Sequence, residues 1–362
     1  MKGHGGDIYA ASQALSISAD KIIDFSASIN PLGVPGSVRR TIIAHLGQLR
    51  HYPDPSANEL RNEIARSIKV DPGSIICGNG STELIYLVAR AMQPLKVLIP
   101  APTFSEYENA IITCRGVSKY AGTNNKSISC FTLNEQDNFR LNPDEFIDAM
   151  SGMDMAFLCN PNNPTGGLLR KRDMVRISDA ARQTGCCLVV DEAFTDFIPG
   201  ESIVGKVKDN PYLIVLRSLT KFYALSGLRL GYAVVNPELY STIMHFKEPW
   251  TVNTLAQLSG IVALKDSVYA GRTFSALSEW KKYLETGLIK MGIKYYPSSI
   301  NFYLLRLDNA GDVLSQLRGK GILVRDCSNF RGLDGTYVRI AVRTQSENRR
   351  LLRELAELRR AK

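Results

Sequence analysis

Ser218-Leu-Thr-Lys221-Phe-Tyr-Ala-Leu-Ser-Gly-Leu-Arg229-Leu-Gly-Tyr232 decides how the rest of the chain reads. The lysine lies just past an apolar, strand-like run, Leu213 to Leu216, and an arginine follows eight residues after it. An amine at a strand end can condense with an aldehyde, and cations beside it can hold a phosphate. Thirty residues upstream, Leu188-Val-Val-Asp191 ends a second apolar run on a carboxylate. Pyridoxal phosphate (PLP) needs this set: a lysine for its aldehyde, an acid for its ring nitrogen and donors for its phosphate. The stretch therefore predicts a PLP enzyme with Lys221 and Asp191 as its catalytic pair.

Working outward, residues 74–235 alternate short apolar runs with amphipathic stretches, the pattern of βαβ units around a mostly parallel sheet. Ile75-Ile-Cys77, Lys96-Val-Leu-Ile99, Met155-Ala-Phe-Leu-Cys159, Cys187-Leu-Val-Val190, Leu213-Ile-Val-Leu216 and Gly231-Tyr-Ala-Val-Val235 read as strands, and Ser81 to Met92 as a helix. The chemistry-bearing residues fall at the carboxyl ends of these runs, where open α/β sheets bind ligands. Past Lys247 the pattern changes. Asn253 to Lys290 reads as largely helical, and the runs Phe302 to Leu307, Ile322 to Arg325 and Val338 to Ala341, with a helix around Val313 to Leu317, predict a smaller α+β unit closed by a terminal helix. The expected division is an arm over 1–30 packing on the small unit, a large α/β domain over 31–247 and a small C-terminal domain over 248–362.

Composition narrows the class. At 362 residues the chain can bury a large core and divide into domains. The segment Met1 to Asp7 has no apolar signal-peptide core, and no apolar run is long enough to span a bilayer, so a cytoplasmic protein without a membrane partner is expected. The net charge is +9, but the basic residues are scattered rather than gathered into a stripe with stacking aromatics, which argues against nucleic acid. The seven cysteines lack paired CxxC spacing, so no metal site is expected; they read as reduced, structural thiols.

Three further segments suit the cofactor. Gly78-Asn-Gly80-Ser81-Thr82 opens a helix whose backbone N–H groups and two hydroxyls make a phosphate cradle, completed by Ser218 and by the paired donors of Arg229. The cradle lacks the Gly-Lys-Ser/Thr ending of an ATP-binding loop. Asn160-Pro-Asn-Asn163-Pro-Thr-Gly166 follows a strand; as a plain turn it needs no function, but the amide of Asn163 can donate to the phenolic oxygen of PLP. Phe104 is either a ring-stacking partner or core.

Asn163-Pro-Thr-Gly166, Asp191-Glu-Ala-Phe194, Ser218-Leu-Thr-Lys221 and Gly227-Leu-Arg229-Leu-Gly231, in that order, resemble fold-type-I PLP enzymes of the aminotransferase class. The resemblance covers nearly the whole chain and implies an aspartate-aminotransferase-like fold. Within the class the chain is similar to histidinol-phosphate aminotransferases and their decarboxylase relatives. It implies a homodimer in which Tyr52, of His51-Tyr52-Pro-Asp-Pro55, reaches the partner's cofactor phosphate. One position departs from the usual pattern: the tyrosine expected after Asp191-Glu-Ala is Phe194, which removes a donor to the phenolic oxygen.

That phenylalanine, His4-Gly-Gly-Asp7 and Asp24-Phe-Ser-Ala-Ser-Ile-Asn30-Pro-Leu-Gly33 look like the threonine-phosphate decarboxylases of cobalamin side-chain synthesis. The resemblance implies a small phosphorylated amino acid as substrate. Arg339 matches the family's carboxylate-binding arginine, Asn30 is a second candidate for the carboxylate, and Arg325 and His4 are candidates for the substrate phosphate. A surface ion pair for Arg325 and a loose terminus for His4 are the alternatives. The reaction follows from which Cα bond stands perpendicular to the cofactor ring: Cα–H for transamination, Cα–carboxylate for decarboxylation. Histidinol-phosphate aminotransferase is the competing expectation.

Overall fold

The computed structural model describes residues 4–115 and 127–360; the first three residues of the expected arm and the last two residues of the chain lie outside this range. In chain order the strands are β1 (Ile23–Asp24), β2 (Ile75–Gly78), β3 (Val97–Ala101), β4 (Ile128–Thr132), β5 (Met155–Cys159), β6 (Cys187–Asp191), β7 (Leu213–Ser218), β8 (Gly231–Val235), β9 (Lys294–Tyr295), β10 (Phe302–Arg306), β11 (Ile322–Leu323), β12 (Arg325–Asp326) and β13 (Tyr337–Ala341). Seven of them form one sheet in the order β2-β8-β7-β6-β5-β3-β4, parallel except for β8. This is the α/β, mostly parallel architecture that the alternation of runs predicts.

The inner strands are uninterrupted apolar runs because both faces of the sheet are covered. Along β6, Leu188 and Val190 pack with Met174 and Ile177 of the helix Lys171–Thr184 on one side. Val189 packs with Leu84, Ile85 and Val88 of the helix Ser81–Met92 on the other. β4, at the sheet edge, is half-exposed and mixes Ser129 and Thr132 with apolar residues, so it does not stand out in the sequence as a buried apolar run.

The register of β8 does the most to build a site. Gly231 lies opposite Gly78 on one side and Ser218 on the other, so the ends of β2 and β7 meet across it. A Cβ on Gly231 would come within 2.5 Å of the Ser81 nitrogen, so glycine is needed for this approach.

A second sheet, β12-β13-β10-β9, is antiparallel. Arg325 of β12 lies directly opposite Arg339 of β13, which puts both guanidiniums on one face. The expected run Ile322 to Arg325 is split here: β11 leaves this sheet and pairs in parallel with β1. That pairing, with Ala341 N donating to Phe25 O at 2.8 Å, brings the segment after β1 beside the arginines.

Candidate active site

The ends of β2, β5, β6 and β7 and the Arg325/Arg339 face enclose a cavity of about 410 Å³. Its walls include His4, Ser81, Thr82, Phe104, Asn163, Asp191, Phe194, Ser218, Lys221, Arg229, Arg325 and Arg339. A larger cavity, about 490 Å³, lies beyond the Asn160–Gly167 loop, but its lining has no lysine and one acid, Asp173. The titratable chemistry is in the smaller one.

Lys221 sits on a one-turn helix, Leu219–Phe222, whose start is capped by the Ser218 hydroxyl. Burial, reinforced by the guanidiniums of Arg339 and Arg229, lowers its ammonium to about 8, so a useful fraction is free amine near neutral pH. Asp191 is buried and accepts hydrogen bonds from Tyr107 Oη at 2.8 Å and Ala193 N at 2.9 Å. Burial pushes its acidity constant up, while these donors and the Lys221 charge pull the other way. A carboxylate held mainly by neutral donors suits a cationic ring nitrogen.

The expected phosphate cradle is similarly local. Gly80 precedes the helix Ser81–Met92 with φ +81°, and a Cβ there would meet Arg229 Nη2 at 2.5 Å. Arg229 itself adopts a left-handed backbone, φ +57°, sparsely populated for a residue with a side chain. Ser218 Oγ bonds Thr220 Oγ1 at 2.7 Å.

Arg339 crosses the cavity. Its Nη2 donates to Ser26 O at 2.8 Å, its Nη1 donates to Asn163 Oδ1, and its guanidinium carbon lies 5.0 Å from the centre of the Phe302 ring. With the Asn163 oxygen engaged, that amide keeps Nδ2 for donation. Arg339 Nε and the Ser28 hydroxyl are buried with no hydrogen-bond partner among the described residues, and a bound anion would satisfy each. Arg325 donates to Asn329 Oδ1 at 2.9 Å and lies 5.1 Å from the Phe330 ring centre. His4 lies against Phe104, ring centres 5.7 Å apart, and bonds Glu106. Phe104 is half-buried, lining the cavity and packing on the core at once. The residues present fit PLP: lysine, acid, glycine-rich cradle and unsatisfied donors meet in one cavity.

Two expected residues lie elsewhere. Asn30 is a correction: its Nδ2 donates to Phe222 O and Thr273 Oγ1, both at 2.8 Å, and its Oδ1 accepts from Leu32 N at 3.1 Å. The amide is fully engaged and does not line the cavity; the Asn30 main chain instead donates to Lys221 O at 3.0 Å, supporting the lysine turn. Tyr52 is 82% exposed on this chain, outside the cavity, with its ring tilted 32° against that of Trp250, centres 5.1 Å apart.

No role is assigned from the sequence to Tyr107 or Glu106, and Ser26 to Ser28 figure there only within the Asp24-to-Gly33 motif, with no role of their own. Ser105-Glu106-Tyr107 begins a helix just past the end of β3, so the rule that picked out Gly80 and Asp191 could have found it. No such signal marks Ser28.

The family model for aminotransferase class I and II matches residues 20–355. A threonine-phosphate decarboxylase from Salmonella typhimurium is 40% identical over 97% of this chain and 95% of its own length. A histidinol-phosphate aminotransferase from Caldanaerobacter subterraneus is 37% identical, covering 92% of each chain. The solved L-threonine-O-3-phosphate decarboxylase from Porphyromonas gingivalis superposes with a TM-score of 0.80 at 28% identity, over 93% of this chain and 99% of that one.

Proposed function

The chain belongs to the class I and II aminotransferase family of PLP-dependent enzymes, and from that premise we propose that it decarboxylates L-threonine O-3-phosphate to (R)-1-amino-2-propanol O-2-phosphate and carbon dioxide. The observation that carries this reading is the pairing of Arg325 with Arg339 on one face of the cavity, with His4 on the same rim. A substrate with a carboxylate at one end and a phosphate at the other needs two cationic subsites, and these residues supply them. The proposed homodimer, with Tyr52 serving the neighbouring cavity, places a second chain against this exposed tyrosine.

PLP held by these residues would supply an electron sink for the pair of the breaking Cα bond. The protein's part is to choose the bond and manage the proton. Arg339, fixed by Ser26 and Asn163, would hold the substrate carboxylate, and Arg325 and His4 the phosphate. Each charge-assisted contact contributes about 1.5–3 kcal/mol, enough to hold one rotamer about Cα. Lys221 would deliver to Cα the proton that replaces the departing carboxylate, and Asp191 would keep the cofactor's ring nitrogen protonated. Phe194, 5.9 Å from Lys221 Nζ at its ring centre, offers no hydroxyl to the phenolic oxygen.

The histidinol-phosphate relative favours a second reading, amino transfer from histidinol phosphate to a keto acid. Incubating the PLP-loaded protein with L-threonine O-3-phosphate and no keto acid separates the two. Repeated release of carbon dioxide and amine is expected; no release, but transfer from histidinol phosphate to 2-oxoglutarate, would replace the decarboxylase with the aminotransferase.

A further inference from the structure

A carboxylate stands on the cavity wall where the reading above needs an anion to bind. Glu106, from the helix Glu106–Cys114, is 13% exposed at its side chain and lines the cavity with His4, Phe104 and Arg325. Left bare, it would repel a substrate phosphate. It is not bare. Its Oε1 is 3.0 Å from His4 Nε2 and 2.8 Å from Asn109 Nδ2, and its Oε2 accepts from Tyr86 Oη at 2.7 Å. The His4 bond and the other donors hold the Glu106 carboxyl at about 2 despite burial, so it is ionised in use and His4 Nε2 must carry the proton of their bond. Burial and that same carboxylate push the Tyr86 phenol up, keeping it a donor.

The arm that delivers His4 is anchored further along by Ala11, packed against Ile22 and Leu323, and nearer the histidine by main-chain contacts. Gly6 N donates to Ser26 Oγ at 2.8 Å, and Gly5 is pressed on Ser26, where a Cβ would meet the carbonyl oxygen at 2.3 Å. Ser26 is in turn fixed by Asp24 Oδ1. The main chain of the arm is thus tied to the segment beside Arg339, but its histidine side chain, 57% exposed, is tied by Glu106.

We propose that Glu106 is a positioning residue for the substrate phosphate, docking the His4 imidazole at the cavity rim and thereby turning its own charge from a repulsive into a supporting one. The inference rests on the reading that His4 meets that phosphate. Its sign is distinctive. If Glu106 were only a nearby charge, removing it would tighten phosphate binding by relieving repulsion; as the residue that holds His4, its removal weakens binding.

The test uses PLP-loaded protein, in which the cofactor's own phosphate site is filled. Inorganic phosphate affinity by calorimetry, and KM and kcat for L-threonine O-3-phosphate, are compared in wild type, Glu106→Gln, His4→Ala and the double variant. Glu106→Gln should weaken phosphate about tenfold, raise KM more than it lowers kcat, and add nothing in the His4→Ala background. Glu106→Asp, which keeps the charge but draws it back from His4, should weaken phosphate similarly if the Gln variant folds poorly. Unchanged or tighter phosphate binding, or an equal loss with and without His4, would overturn the proposal. Coupled phosphate binding without carbon dioxide release would support it while removing the decarboxylase reading.

Discussion

The floor of the cavity and its rim are built differently. The floor is the carboxyl edge of one sheet: Asp191 and Ser218 end strands that are buried on both faces and Asn163 and Lys221 follow such strands, so neighbouring main chains fix their positions. The rim is assembled from chain segments far apart in sequence. Ser26 and Arg339, which share a hydrogen bond, are 313 residues apart, and His4 and Glu106 are 102 apart. Under the proposed function, the floor would hold the cofactor and the cations of the rim would select which Cα bond is presented.

If that division is right, the largest loss belongs to the floor. Lys221→Ala is expected to reduce turnover by at least about a thousandfold and to abolish the visible absorbance of lysine-bound PLP. Turnover near the wild-type rate in this variant would break the comparison at its base.

A change at the rim should be smaller and of another kind. Arg339→Ala should weaken L-threonine O-3-phosphate by about tenfold to a hundredfold while PLP remains bound. It should also report on the floor. Arg339 is one of the cations that lower Lys221 to about 8, so its loss raises that value; capture of PLP by the apoprotein, which needs the free amine, should move to higher pH. Unaltered substrate kinetics and an unmoved pH profile would remove Arg339 from both regions.

The smallest expected effect lies where the regions meet. Phe194 is buried, edge-on to Phe302 at 5.1 Å and near Lys221. Phe194→Tyr adds a hydroxyl and should change turnover only several-fold, but shift the cofactor spectrum and the fraction of turnovers ending in amine transfer. An identical spectrum and product ratio would mean that this position does not distinguish the two reactions.

The same contrast governs what can be read from residues. Strand ends are marked in sequence because a buried parallel strand is a short apolar run, and whatever polar residue ends it stands at the ligand-binding edge. Asp191, Asn163 and Lys221 are found that way. Asn30 was misassigned because an asparagine in a turn looks alike whether it faces a substrate or closes a main-chain network; its three partners, Phe222, Thr273 and Leu32, are not local signals. Glu106 is a helix-start acid whose partner, His4, lies 102 residues away, so nothing local marks it.

By itself, then, the sequence determined the class of fold, the cofactor chemistry and the residues at the strand ends, because these depend on periodicity and on neighbours close along the chain. Tertiary structure alone decided that β1 pairs with β11, that Arg325 lies opposite Arg339, and that Ser28 and Arg339 bury unsatisfied donors. These depend on register between distant segments, and a one-residue slip would turn the same side chains to the other face.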